Sequence, residues 1–367
     1  MKILFLITKS TEGGAQTHIT QLARALIARG DTVAVMSAPG GWLEQEIIAL
    51  GATFYSNQYF ANSYNPLRFH SAMRRVRVVV DEYKPDIVSC HSGFAGFVGR
   101  AAIKNRVPTL FTAHGWSFSP GAALHQRVIT WMVECYAARW CRKILCVSQY
   151  DCDLARRYHV APASKLVTVH NGVEIPSVPP PVKTSIRSLV FIGRLVRQKR
   201  PLDVLEAVAL LPEVIRQTLT VTFVGGGPLE PSLKVYVAEH GIEKSVQFLG
   251  NIHRTKVLDI LSTSDVLLLP TNHEGLPRSM LEALAHGVPV MASGVAGIPE
   301  IIQDEVGYIL HRGHEPQEMA EYITRLWENP DLVAQLSVHA YHRAINHFSL
   351  EKMIAATCAV YDEVINA

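Results

Sequence analysis

Pro176-Ser177-Val178-Pro179-Pro180-Pro181 places four prolines within six residues. Each fixes its own φ and removes an amide donor, so neither a helix interior nor a central strand accepts the run. It reads as a stiff linker. Upstream, short β-branched runs at Ile3–Ile7, Thr32–Ser37, Ile87–Ser89, Thr109–Thr112, Ile144–Val147 and Leu166–Val169 alternate with segments of helical spacing. Thr17 to Arg29 is one such segment, with Ile19, Leu22, Ala23 and Leu26 on a single face. Downstream the rhythm starts again at Leu189–Ile192, Leu219–Val224, Val246–Phe248, Val266–Leu269 and Val288–Met291. After Tyr308–Leu310 only helical patterns remain, the last from about Leu350 to Asn366. Strand–helix alternation predicts βαβ units and parallel sheets covered on both faces. The fold class is therefore α/β, two doubly wound parallel-sheet, Rossmann-like domains at 1–176 and 185–349. Ligands of such sheets bind beyond the carboxyl ends of the strands, so two sheets facing each other would share one cleft.

The composition agrees. A chain of 367 residues, 18% charged and 48% hydrophobic, has length for two cores and too much apolar content for disorder. Its longest stretch without Lys, Arg, Asp or Glu, between Arg106 and Arg127, carries two prolines, two glycines and two histidines, which a spanning helix would not hold. The apolar run after Lys2 ends at Ile7, too soon for a secretory signal. Of six cysteines, four crowd at Cys135, Cys141, Cys146 and Cys152, without the C-x2-C knuckle of zinc sites. They read as reduced core thiols of a cytoplasmic protein. Residues 1–180 hold 19 Lys and Arg against 11 Asp and Glu, and the remainder 16 against 21. A basic first half and an acidic second half point to different partners, although ordinary solvated surface gives the same counts.

Three groups of residues could carry chemistry. Gly13-Gly14 follows the first strand and opens a helix, a place where backbone amides approach an anion. It matches neither G-x-G-x-x-G nor a P-loop, and also reads as an ordinary tight turn. Gly193-Arg194-Leu195, with Lys199 five residues past Arg194, puts two cations after a strand, suited to a diphosphate or simply solvated. Gly225-Gly226-Gly227-Pro228 follows the next strand. Most informative is His273-Glu274-Gly275-Leu276-Pro277-Arg278-Ser279-Met280-Leu281-Glu282, with Glu274 in a loop and Glu282 inside a helix beginning near Ser279. That geometry offers amides to a phosphate and carboxylates to sugar and ribose hydroxyls. Acidic residues also favour any helix N-terminus, so spacing alone leaves both readings open.

Glu274-x7-Glu282, with Gly193-Arg194-Leu195, Lys199 and Gly225–Pro228 before it, resembles the retaining glycosyltransferases of family 4. Gly13-Gly14, His114-Gly115, Asn171-Gly172-Val173 and Gly297-Ile298-Pro299-Glu300 extend the resemblance, in family order, over nearly the whole chain. It implies the two-domain GT-B fold, with acceptor on the first domain and nucleotide sugar mainly on the second. The last helix, 350–367, would cross back to the first domain. By the same resemblance Arg194 and Lys199 hold the donor diphosphate, Glu282 the ribose and Glu274 the transferred sugar. His114 would lie beside that sugar, and Gly13 and Gly14 would close over the phosphates. Gly193, Gly226, Asn251 and Ile252 complete the donor set, with Gly275, Leu276, Arg278 and Ser279 reaching the sugar through their amides. Pro277 departs from a family glycine and has no amide to give.

The function this implies is metal-independent, retaining transfer of a hexose from a nucleotide diphosphate sugar to a sugar hydroxyl. UDP is favoured, with UDP-glucose as the first candidate. The acceptor would be a glycan or lipid-linked sugar in bacterial cell-surface polysaccharide or glycolipid synthesis. No cofactor is called for. Asp151-Cys152-Asp153, a D-x-D, sits at an expected helix start, where Asp is a routine cap rather than a metal ligand. His311/His314 and His339/His342 read as surface. Arg74, Arg75 and Arg77 could touch anionic lipid, giving peripheral contact with the inner membrane, or could be a solvated helix face. The basic residues are not interleaved with stacking aromatics, so nucleic acid is not an expected partner. The rival readings are a sugar-nucleotide epimerase on the same fold and a non-catalytic sugar-nucleotide-binding subunit.

Overall fold

The computed structural model describes residues 1–60, 66–120, 123–303 and 305–366. They divide into two compact units, Met1–Asn171 with Met353–Ala367, and Gly172–Lys352.

In the first unit the strands are β1 (Lys2–Leu6), β2 (Thr32–Ser37), β3 (Thr53–Ser56), β4 (Ile87–His91), β5 (Thr109–Ala113), β6 (Lys143–Cys146) and β7 (Leu166–Thr168). They pair in parallel in the order β3-β2-β1-β4-β5-β6-β7. Every residue of β4 and β5 is buried, as expected of central strands with both faces covered. β3 is the strand the sequence pattern did not disclose. Its four residues, Thr-Phe-Tyr-Ser, lie at the edge of the sheet and none is buried, so the apolar run that marks the others is missing. The terminal helix Leu350–Asn366 is anchored on this unit: Arg29 Nη1 pairs with Asp362 at 3.4 Å, and Tyr361 is fully buried.

The second sheet contains β8 (Ser188–Ile192), β9 (Thr220–Val224), β10 (Val246–Gly250), β11 (Val266–Leu269), β12 (Val290–Ser293) and β13 (Gly307–Leu310). Its order is β10-β9-β8-β11-β12-β13, again all parallel. The expected strand at Val288 begins two residues later. Val288 N donates to Ala283 O, closing the preceding helix, before Pro289 turns the chain into the sheet. The proline-rich segment forms neither helix nor strand and continues into contacts with the second unit. There Lys183 N donates to Ser337 Oγ at 3.0 Å, and Lys183 Nζ to Ser262 O at 2.7 Å.

Each sheet has one place where the strand order reverses direction: between β1 and β4 in the first, and between β8 and β11 in the second. At such a switch point the loops after the two strands diverge to opposite faces and leave a crevice at the carboxyl edge.

Candidate functional site

At the switch point of the second sheet, the loop after β8 carries Gly193, Arg194 and the turn Arg197–Lys199, while the loop after β11 carries Glu274. The two loops are stitched together. Asn272 N donates to Gln198 O at 2.8 Å, Gln198 Nε2 to His273 O at 2.9 Å, and Asn272 Nδ2 to Arg197 O at 3.2 Å. Across this seam Lys199 Nζ and Glu274 Oε1 form an ion pair, both side chains mostly buried. Sequence reasoning assigned these two residues to different parts of a ligand; the structure joins them to each other. Arg194 stands apart, exposed at the strand exit, with no hydrogen bond or ion pair among the described residues.

The turn after Lys199 is held by groups that no motif disclosed. Arg200 adopts a left-handed conformation (φ 45°, ψ 47°). Its guanidinium forms an ion pair with buried Glu315 and meets Asp203 Oδ2 at 2.6 Å. Burial pushes the Asp203 carboxyl up to about 6, with Arg200 opposing the shift. Glu315 also accepts from Gly313 N at 2.6 Å. The sequence signal, an arginine after a lysine, is indistinguishable from two solvated cations.

The glycine run after β9 packs directly behind Gly193–Leu195. Leu195 N donates to Gly226 O at 3.0 Å and Leu229 N to Leu195 O at 3.1 Å. Gly225 has φ +122°, and a Cβ there would lie 2.2 Å from Gly193 O; at Gly227 it would lie 2.4 Å from Leu195 O. These glycines are therefore required by backbone packing against backbone. Asn251, past β10, accepts from Gly226 N through Oδ1 at 2.9 Å, with Ile252 half-buried beside it.

Helix Arg278–Ala285 starts directly after Pro277, with no side-chain cap. Gly275, Leu276 and Pro277 are buried, and Ser279 is half-buried in the first turn. Arg278, expected to contribute its amide, turns its side chain inward, where Nη1 donates to Gly172 O at 2.9 Å and Nη2 lies 3.7 Å from Glu282 Oε1. Burial brings its guanidinium down to about 10, Glu282 opposing and Arg254 adding to the shift. Glu282 is mostly buried and pairs with Arg254 Nη2 at 2.7 Å. Arg254, at the start of helix Arg254–Thr263, has no sequence signal of its own.

At the switch point of the first sheet, Thr8 after β1 meets Ser92 after β4, hydroxyl to hydroxyl at 2.7 Å. Gly13 is the N-cap of helix Gly14–Ala28, in extended conformation (φ 177°) and with no side-chain cap. His114 follows β5. It forms a cluster with His18 of that helix, at 5.1 Å between ring centroids, and with His91 at the end of β4, at 5.3 Å. His18 and His91 are buried and were not foreseen, because single histidines in a helix and a strand carry no spacing motif.

The other candidates resolve as follows. Ser148, not an aspartate, caps helix Gln149–Arg157: its Oγ accepts from Asp151 N at 3.0 Å and lies 2.8 Å from Asp151 Oδ2. Asp153 instead bonds Gln149 and Arg156, so the two carboxylates of the D-x-D engage different partners. Arg74, Arg75 and Arg77 do not present one cationic face. Arg75 Nε donates to Ser56 O and Arg77 Nε to Ala102 O, leaving only Arg74 exposed. All six cysteines are free thiols. No helix among the described residues is long and apolar enough to cross a membrane.

Comparison with known proteins identifies the family. Residues 12–176 match the model for Glycosyltransferase Family 4, and residues 180–343 that for Glycosyl transferases group 1. The Escherichia coli UDP-Gal:alpha-D-GlcNAc-diphosphoundecaprenol alpha-1,3-galactosyltransferase is 28% identical over 301 residues, covering 77% of each chain. The Staphylococcus aureus capsular polysaccharide biosynthesis glycosyltransferase CapH is 23% identical, covering 83% of this chain and 84% of its own. Among solved structures, Anabaena Alr3699/HepE in complex with UDP and glucose superposes with a TM-score of 0.83 at 20% identity, covering 99% of both chains. With family models spanning both units and whole-chain agreement in fold, this chain belongs to glycosyltransferase family 4, the glycosyl transferases group 1, and has the GT-B fold.

Proposed function

We infer that this glycosyltransferase is a retaining, metal-independent hexosyltransferase that uses a UDP-sugar, UDP-glucose being the first to test. Its acceptor is a sugar hydroxyl on a glycan or lipid-linked sugar. The carrying observation is the Lys199–Glu274 pair, which bridges the loops on either side of the second sheet's switch point, with Arg194 exposed at the exit of β8. In this reading Arg194 and Lys199 stabilise the charge that grows on the leaving diphosphate, a fixed electrostatic complement in place of a metal. Glu282 accepts from the ribose, Glu274 from the transferred sugar, and His114 of the first unit acts beside that sugar. Gly13 and Gly14 give backbone amides to the phosphates, and Asn251 and Ile252 belong to the donor-binding set.

Retention in this reading follows a front-face course rather than a double displacement. The bond from the anomeric carbon to the phosphate oxygen breaks, the acceptor oxygen bonds to the same face, and the acceptor proton passes to the departing phosphate. A thermal-shift screen of UDP-glucose, UDP-galactose and GDP-mannose, followed by NMR of the transferred anomer, tests this. A retained anomer formed in excess EDTA is expected. Loss of transfer on chelation with recovery on manganese, or an epimerised donor without transfer, would replace the reading.

The acceptor is expected at a bilayer surface. Helix Leu124–Ala137 exposes Leu124, Val128, Ile129, Met132 and Tyr136, while its one acid, Glu134, is buried against Arg100 at 2.6 Å. Arg139, over the ring of Tyr136, adds a cation beside the stripe. An apolar stripe beside a cation, with no exposed carboxylate on the helix, suits an anionic lipid surface. Flotation with phosphatidylglycerol vesicles should carry the protein, and Ile129→Glu with Met132→Glu should abolish it.

A further inference from the structure

Behind His114 runs a chain of side chains that ends in the terminal helix. Tyr361, fully buried, donates its hydroxyl proton to Ser89 Oγ at 2.8 Å. Ser89 Oγ lies 3.0 Å from His91 Nε2, and His91 Nδ1 lies 3.0 Å from His114 Nε2. Ser89 and His91 are both at 0% exposure, in β4. In the proton assignment that runs one way from the terminal helix, Ser89 receives from Tyr361 and gives its single proton to His91 Nε2. A neutral imidazole has one N–H. With Nε2 accepting, that N–H is on Nδ1 and is donated to His114 Nε2. The neutral state of His91 follows from its surroundings: burial holds its imidazolium well below the ordinary range, and His114 and His18 add to the effect. The faces around it are the ring of Phe5 from β1, at 5.7 Å, His18 from helix Gly14–Ala28, His114 after β5, Ser89 on its own strand, and Tyr361 beyond.

We propose that Tyr361, Ser89 and His91 are positioning residues that lock His114 as its neutral Nδ1–H tautomer and fix the orientation of its ring. The role of His114 beside the sugar is the reading given above, and the lock serves that role. A ring with a defined tautomer offers one fixed donor and one fixed acceptor, whereas a free histidine exchanges them. Placing the origin of the lock in the terminal helix makes that helix part of the active-site machinery as well as of the fold.

The chain can be read without activity. Two-bond 1H–15N spectra of 15N-histidine-labelled full-length protein at pH 7.5, with signals assigned by His91→Asn and His114→Gln, distinguish Nδ1–H from Nε2–H imidazoles. Nδ1–H is expected for both His91 and His114. Nε2–H at either position in the wild-type protein overturns the proposal, and this measurement needs no variant to be active. Turnover of UDP-glucose supplies the second readout. His91→Phe, which removes the donor, should lower kcat by about 10–100-fold, the usual worth of a partner that fixes a ring's tautomer, with the donor KM within threefold. His91→Asn keeps an N–H near the place of Nδ1 and should recover most of that loss. Full kcat in His91→Phe overturns the lock. Full kcat in His114→Ala overturns the role of His114 while leaving the tautomer result standing, so the two failures are distinguishable.

Discussion

The two units meet the same topological problem, a glycine turn at a switch point, with opposite solutions. In the second unit the glycines are jammed: Gly225 and Gly227 have backbone carbonyls within 2.4 Å of where a Cβ would be. The groups around them are charged and paired, Lys199 with Glu274, Arg200 with Glu315, Arg254 with Glu282. In the first unit Gly13 is extended, and a Cβ there would meet only the end of the Gln16 side chain. The nearby functional groups are rings and hydroxyls bonded to one another: His91, His114, Ser89 and Tyr361. A site for a charged diphosphate needs fixed cations on a rigid frame. A site that handles hydroxyls needs defined donors and acceptors with little net charge. The contrast is what the proposed division of labour requires, and it can be broken by experiment.

The largest effect should come from Arg194, which makes no ion pair among the described residues. Arg194→Ala should lower kcat/KM by about 10²–10³-fold, roughly 2–4 kcal/mol of transition-state stabilisation, without a change in melting temperature. The exposed side chain has no hydrogen bond or ion pair to lose among the described residues. Turnover within threefold of wild type would remove Arg194 from the diphosphate site.

Next comes the asymmetry between the glycine loops. Gly225→Ala must place a methyl 2.2 Å from Gly193 O at φ +122° and should destabilise by about 3 kcal/mol. Gly13→Ala should cost less than about 1 kcal/mol, because its backbone is ordinary and Gln16 can move. Its effect, and more so that of Gly14→Val at the exposed first position of the helix, should fall on transfer. Denaturant melts of the variants check the first pair, and equal costs would dissolve the distinction. The sequence could not have ranked these glycines. It showed a Gly-Gly and a Gly-Gly-Gly after strands; only the packing reveals which glycines the backbone needs.

The same limit governs how much of the site was legible. Strand positions, the proline run and the Glu274-x7-Glu282 spacing are local patterns, and local patterns are written in the chain. Partnerships are not. Lys199 finds Glu274 across 75 residues and Tyr361 finds Ser89 across 272, through a strand order that composition does not encode. Arg254 and His91 lack any motif for that reason. Edge strand β3 escaped because it buries too little to leave a hydrophobic signature.

Acid should separate the two regions by sign. Asp203, in the charged frame, titrates near 6 in the folded protein, above its ordinary 3.8. The native state therefore binds more protons between about pH 4 and pH 6, and stability falls as pH rises through that window. The excursion is worth about 3 kcal/mol at most. His91, in the neutral cluster, has the opposite shift, downward by burial. Its contribution is present above the ordinary 6.5 and is lost as pH falls. Burial also lowers His273 in the second unit, so wild-type curves mix both signs. Difference curves separate them: the stability of wild type minus Asp203→Asn should fall from pH 4 to pH 6, and wild type minus His91→Asn should rise. Slopes of the same sign would show that the two regions do not differ in electrostatic character.

The smallest effect tests a residue pair that belongs to neither region. Ser148 caps helix Gln149–Arg157 by accepting from Asp151 N at 3.0 Å, while its hydroxyl lies 2.8 Å from the Asp151 carboxylate. The exchange satisfies one of the four amides that open any helix, and it occupies the carboxylate that a D-x-D metal site would need. Ser148→Ala should destabilise by about 1 kcal/mol, the usual cost of a lost N-cap. Transfer by the folded enzyme should be unaffected, and so should its response to EDTA. Asp153→Asn, at an exposed position bonded to Gln149 and Arg156, should cost less than half as much and leave transfer unchanged. If Asp153→Asn abolished transfer with the melting temperature intact, the aspartates would be acting as ligands. The charge that balances the leaving diphosphate would then have to be sought in the first unit, and the contrast between a charged and a neutral region would reverse.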